Sequence, residues 1–199
     1  ALLRKDISFA NFCFAPGILD MASQLIGPDI ALWNMSLFGK PANDGKATPW
    51  HQDGEYWPIR PLATCSVWVA VDQSSEENGC LEVIPGSHRD KSLREHQHNP
   101  SDDLTLHEEL LDTEFDSKQA RKVLLERGQI SMHDVFLMHG SQPNCSNKRR
   151  RGMTMRLMPT TSHFDRSIAQ DALANHPLLL VRGGDKCGKN DLQEPRDLL

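Results

Sequence analysis

The chain has 199 residues, 38% of them hydrophobic, and a formal net charge of -5, the proportions of one soluble globular domain able to bury its own core. The acidic balance excludes a typical nucleic-acid partner, because phosphate binding needs basic surface, and no apolar run approaches the roughly 18 residues of a membrane span. Five cysteines, odd in number and never in a C-x-x-C pair, fit reduced thiols in an intracellular, cytoplasmic protein rather than a disulfide framework or a zinc ribbon.

The sequence opens on Ala1 rather than Met and shows no leader, so an N-terminal segment is expected to be missing from it. Residues 16–27 carry Pro at the opening, apolar residues at helical spacing and Gly at the close, which predicts a short helix. Residues 29–40, around Ile30, Leu32, Trp33, Met35 and Leu37, read as a largely buried strand. A loop bearing Gly and Pro then leads to Thr48-Pro49-Trp50-His51-Gln52-Asp53-Gly54. Here an imidazole and a carboxylate stand two residues apart at the mouth of an expected strand. Side chains at i and i+2 of a strand share a face, so His51 and Asp53 can close on one metal ion.

Residues 63–71 alternate. Cys65, Val67, Val69 and Val71 form a packing face, whereas Thr64, Ser66, Trp68 and Ala70 form a mixed face suited to lining a cavity. Turns are expected at 74–79 and 85–88, with a short strand at 80–84 between them. Residues 89–120 are polar and charged without strand alternation, and read as an insertion with partial helix that would serve as a lid. Its histidines, His96, His98 and His107, and the neighbouring His88 have no ligand spacing. Strands are expected again at 121–126, 129–139 and 150–158, and apolar Leu178 to Val181 reads as one more packing strand. Internal repeats and phosphate-binding glycine motifs are absent from the sequence.

Many short strands punctuated by Gly and Pro, with few helices, predict a mainly β fold: a double-stranded β-helix, or jelly roll, of cupin-like type with flanking helices, formed as a single domain over residues 1–199. A third metal ligand must come from a distant strand, and residues 129–139 offer His133 and His139. Their even spacing puts both on one face of a regular strand, so parity does not choose between them. The place of His139 at the strand end before Gly140-Ser141 favours it. Two histidines and one carboxylate leave three positions open on Fe(II), and Arg150 on the next strand could grip the carboxylate of an anionic cosubstrate.

His51-Gln52-Asp53, the segment Asn78-Gly79-Cys80-Leu81-Glu82-Val83-Ile84-Pro85-Gly86-Ser87-His88, and His139-Gly140-Ser141 with Arg150 resemble the phytanoyl-CoA dioxygenase family, in combination and in order, across residues 33–159. The resemblance implies Fe(II), with 2-oxoglutarate and O2 as co-substrates and succinate and CO2 as co-products. It implies that His51, Asp53 and His139 are the iron ligands, that Arg150 grips the distal carboxylate of 2-oxoglutarate, and that Ser141 and Trp68 flank that cosubstrate. Arg149 and Arg151 compete for the grip, and the offset from His139 selects Arg150. In halogenases of this broad class a small residue stands at the carboxylate position, so Asp53 implies a hydroxylase. Arg60 and Arg156 are candidates to meet an anionic group on a small-molecule substrate. The alternatives are an oxygen-independent cupin-type metalloenzyme and a catalytically silent binding module on the same fold.

Overall fold

The structure, a computed structural model, describes residues 2–169 and 171–194. In chain order, two 3-10 turns precede helix α1 (Pro16–Ile26), and then come strands β1 (Ile30–Lys40), β2 (Thr48–His51), β3 (Ile59–Arg60), β4 (Cys65–Ala70), β5 (Leu81–Val83), β6 (His96–His98) and β7 (Glu108–Leu110). The remainder is β8 (Arg121–Val123), β9 (Ile130–Asp134), β10 (His139–Ser141), β11 (Arg150–Pro159), β12 (His163–Phe164), a one-turn helix α2 (Asp171–Ala174), β13 (Leu178–Arg182) and β14 (Leu192–Gln193). This is the mainly β class expected. No helix among the described residues is long and apolar enough to cross a membrane.

The chain forms two compact units, one of residues 1–37, 56–67 and 154–199 and the other of residues 38–55 and 68–153. In the first unit the sheet order is β14-β13-β1-β11-β4. Ile30 to Met35 are buried without a break, as a strand with neighbours on both edges and cover on both faces requires. Trp33 anchors the core, with ring centroids 4.6 Å from Trp57 and 5.9 Å from Phe164. Helix α1 begins on Pro16, whose fixed φ suits a first helical position, and stops at Gly27, which takes a φ of 88° while its N–H donates to Ser23 O.

The second unit holds the other ends of β1, β11 and β4, continued by β9, and a separate four-stranded sheet in the order β2-β10-β5-β8. A small core of Ile84, Leu110 and Met138 packs against Trp50, Phe115 and Ala120. Gly140 sits where an added Cβ would lie 3.2 Å from Thr48 O and 3.3 Å from Trp50 Cα, so the missing side chain lets β10 close on β2.

Two expectations change here. Residues 129–139 are not one strand: the Asp134 side chain accepts the Phe136 N–H at 2.8 Å and its carbonyl accepts the Leu137 N–H at 3.1 Å. That turn, of a kind Asp favours, places β9 in one sheet and β10 in the other, so His133 and His139 do not share a strand face. Residues 89–120 contain a two-stranded hairpin, β6 with β7, and two 3-10 turns but no α-helix. Polar side chains bonding to nearby backbone, such as Asn99 Oδ1 to the Ser101 N–H and Asp116 Oδ1 to the Lys118 N–H, compete with helix formation there.

Candidate active site

His51 closes β2, His139 opens β10, and the two are direct partners in the antiparallel register. Cross-strand partners project on one side of a sheet, and these rings lie with centroids 4.2 Å apart. The third ligand, distant in sequence, is the next strand in space. Each ring is oriented by a carbonyl two residues before it: His51 Nδ1 donates to Pro49 O at 2.9 Å and His139 Nδ1 to Leu137 O at 2.8 Å. A carbonyl only accepts, so Nδ1 carries the proton and Nε2 keeps the lone pair for a metal. Burial first, and then the neighbouring His51, push the His139 imidazole down to about 3, which keeps it neutral at physiological pH.

Asp53 enters from the 3-10 turn Asp53–Glu55, with Oδ1 3.7 Å from His51 Nε2. One ligand atom each from His51, Asp53 and His139 lie within 4.8 Å of one another, and all three residues are buried. Two imidazoles and a carboxylate are the donor set that non-haem Fe(II) takes, with positions left open for other molecules. These residues fit that metal.

Gln52, between the ligands, is fully buried. Its Nε2 donates to Phe136 O at 2.7 Å and Ser92 O at 3.0 Å, its Oε1 accepts the Arg94 N–H at 2.7 Å, and its own N–H reaches His96 Nε2 at 3.2 Å. It thereby ties the His51–Asp53 backbone both to the turn before His139 and to the 89–120 segment. His96 acts here as an acceptor rather than a ligand, with its Nδ1 donating to Arg94 O at 2.9 Å.

Arg150 opens β11 and is buried. Strand alternation separates it from its neighbours: Arg149 and Arg151 are exposed and pair with Asp72, at 3.5 Å and 2.8 Å. Arg150 instead lies over the Trp68 ring, 5.4 Å from its centroid, and its buried Nε has no hydrogen-bond partner. A buried guanidinium nitrogen of this kind is a donor that a carboxylate can satisfy. Burial lowers it to about 10, so it stays charged. Trp68 itself rests on Gly152, where a Cβ would fall 2.0 Å from Trp68 Cζ2. Gly152 had no sequence signal beyond its offset of two from Arg150.

Ser141 is buried at the end of β10, and its carbonyl accepts from Lys40 Nζ at 3.3 Å. Lys40, which the sequence offered only as the end of a strand, also donates to Lys46 O at 2.7 Å and Gln142 O at 2.5 Å. Burial, and then the charge of Arg150, push its ammonium down to about 7. Arg60 and Arg156 belong to the other unit. Arg60 is exposed and its Nη1 donates to Trp57 O and Ile59 O of its own turn, while the Arg156 guanidinium lies 4.9 Å from the Trp57 ring centre and 5.9 Å from that of Trp33.

Antiparallel β-sheets that bring two imidazoles and a carboxylate together in one unit with a buried arginine are the arrangement of the Fe(II)- and 2-oxoglutarate-dependent oxygenases. The family model for phytanoyl-CoA dioxygenase (PhyH) matches residues 1–152, and the chain belongs to that family. The human peroxisomal phytanoyl-CoA dioxygenase is 30% identical over 168 residues, 81% of this chain and 49% of that protein. A probable alpha-ketoglutarate-dependent hypophosphite dioxygenase of Stutzerimonas stutzeri is 29% identical over 136 residues, 67% of this chain and 47% of its own length. The chain thus spans about half the length of the curated relatives it matches. Among solved structures, the non-heme monooxygenase ThoJ superposes with a TM-score of 0.73 at 28% identity, covering 91% of this chain and 63% of ThoJ. EvdO2 from Micromonospora carbonacea var. aurantiaca, solved with 2-oxoglutarate, gives a TM-score of 0.54 at 29% identity over 74% of this chain and 58% of its own.

Proposed function

We propose that this chain is the oxygenase domain of an Fe(II)- and 2-oxoglutarate-dependent dioxygenase that hydroxylates a small-molecule metabolite at an unactivated carbon, releasing succinate and CO2. The observation that carries the reading is the convergence of His51, Asp53 and His139 within the unit that also buries Arg150 with no hydrogen-bond partner at its Nε. In this reading His51 Nε2, His139 Nε2 and one Asp53 oxygen hold the iron. Arg150 binds the distal carboxylate of 2-oxoglutarate, Trp68 keeps the guanidinium aimed, and Ser141 adds a hydroxyl beside it. The bound iron supplies the activation of O2 that drives hydroxylation. The chain's residues bind, orient and exclude water, and no separate general base is needed. Asp53 occupies the place where a halide would need room, which favours hydroxylation over halogenation.

The substrate is proposed to be small and anionic. An acidic chain offers little attraction for the nucleotide phosphates of an acyl-CoA. The test has two arms. Adding 2-oxoglutarate to the Fe(II) protein without oxygen should raise a visible charge-transfer band that His51→Ala and Asp53→Ala abolish. Under air, a panel of small carboxylates, amines and phosphonates should include members that stimulate succinate release. Absence of the band from wild type would defeat the reading, and turnover of a substrate without oxygen would replace it with the oxygen-independent alternative.

A further inference from the structure

His133 is an additional histidine at this centre that the ligand set does not use. It comes from β9, in the other sheet of the unit from β2 and β10, and its side chain is 8% exposed. Its ring centroid is 4.9 Å from that of His139. Nevertheless the atoms that converge are those of His51, Asp53 and His139. What His133 faces is the carboxylate: its Nε2 is 3.6 Å from Asp53 Oδ2, while Oδ1 of the same group is 3.7 Å from His51 Nε2. The two oxygens of one carboxylate are therefore divided between two imidazoles.

The protonation pattern follows from partners. His133 Nδ1 is buried with no hydrogen-bond partner, so a proton there would be desolvated and undonated, a loss of about 1–3 kcal/mol. A carboxylate oxygen can only accept. The proton on Nε2 is the one directed at Asp53 Oδ2. At 3.6 Å the two groups are in electrostatic contact, about 0.4 Å beyond a normal N–H···O hydrogen bond.

We propose that His133 is a positioning residue for Asp53: its Nε2–H engages Oδ2 and leaves Oδ1 as the one oxygen presented to the metal. The inference rests on the iron-site reading above. Its consequence is a coordination count. A carboxylate held through one oxygen, with two imidazoles, leaves three positions for a bidentate 2-oxo acid and one further molecule. If Asp53 is free to turn and offer both oxygens, one of those positions is lost. Partners of this sort hold ligands in place, and their removal typically weakens metal binding by about 10–100-fold.

The experiment measures Co(II) affinity of the metal-free protein at fixed pH, with thermal melts as a folding control, for wild type, His133→Phe, His133→Gln and His139→Ala. His133→Phe keeps the ring volume and removes the donor, and it should weaken Co(II) binding about 10–100-fold. His133→Gln restores an N–H near Nε2 and should recover most of that loss. His139→Ala should abolish binding. In the anaerobic Fe(II) protein, His133→Phe should also raise the 2-oxoglutarate concentration that gives half of the visible band. The inference is overturned if a folded His133→Phe protein binds Co(II) as wild type does, or if it loses binding as completely as His139→Ala, which would make His133 a ligand. If wild type binds no better than His139→Ala, it is the iron-site reading that fails.

Discussion

Replacing Arg150 by Met separates a cosubstrate grip from a structural arginine. Burial takes the guanidinium from 12.5 to about 10, which corresponds to about 3 kcal/mol by which the folded protein disfavours the charged form. No protein acceptor at its buried Nε offsets that cost. Met keeps an unbranched aliphatic stem and removes the charge. The metal-free Arg150→Met protein should therefore melt at the wild-type temperature or above it. Its 2-oxoglutarate affinity should fall, because a charge-assisted contact to a carboxylate is worth about 1.5–3 kcal/mol, or about 10- to 150-fold. Arg149→Ala and Arg151→Ala remove exposed partners of Asp72; such pairs contribute about 0–1 kcal/mol, and 2-oxoglutarate binding should not change. The assays are thermal melts without metal and an anaerobic titration of the Fe(II) protein with 2-oxoglutarate. A large loss of stability in Arg150→Met with unchanged affinity, or equal effects of all three substitutions, would refute the assignment.

Gly152→Ala puts a Cβ 2.0 Å from Trp68 Cζ2 and 2.7 Å from its Nε1; overpacking should destabilise the protein by about 1–3 kcal/mol and weaken 2-oxoglutarate binding, and a wild-type melt would show that Trp68 moves freely. His96→Phe removes the acceptor of the Gln52 N–H, leaving a buried donor at a cost of about 1–3 kcal/mol. Metal affinity should drop with it, although His96 is not a ligand, and unchanged affinity would show that Gln52 is held well enough by its other bonds. Between about 7 and 10.5 the unfolded chain holds the Lys40 proton and the folded chain does not, so raising pH across that window stabilises the folded protein. In Lys40→Met the rise measured by urea unfolding should flatten, and an identical slope in both proteins would exclude Lys40 as its source.

Much of this site could be read before the fold, for reasons tied to particular residues. His51 and Asp53 are local in sequence, and they meet as expected although Asp53 stands in a 3-10 turn after the strand rather than on its face. Arg150 could be singled out by its offset from His139, and the structure separates it from Arg149 and Arg151, which are exposed and paired with Asp72. Trp68 stood on a face already odd for packing. What stayed hidden depends on contacts between residues far apart in the chain. Lys40 reaches the carbonyls of Ser141 and Gln142 across 101 and 102 positions, and nothing in Gly39-Lys40-Pro41 encodes that. Gly152 matters only because Trp68 of another strand lies on it.

The choice between His133 and His139 shows where periodicity stops being informative. Even spacing assumes one continuous strand, and the assumption failed at Asp134, whose side chain and carbonyl turn the chain within three residues. Asp134 was visible in the sequence, but a turn-forming residue flanked by Val135, Phe136 and Leu137 looks like strand by composition. The turn gives each histidine its own sheet. His139 becomes the register partner of His51, and His133 lies 3.6 Å from the second oxygen of Asp53. A regular strand would have left two equivalent histidines competing for one metal. The break makes them inequivalent, one placed to donate a lone pair to the metal and the other a proton to the carboxylate.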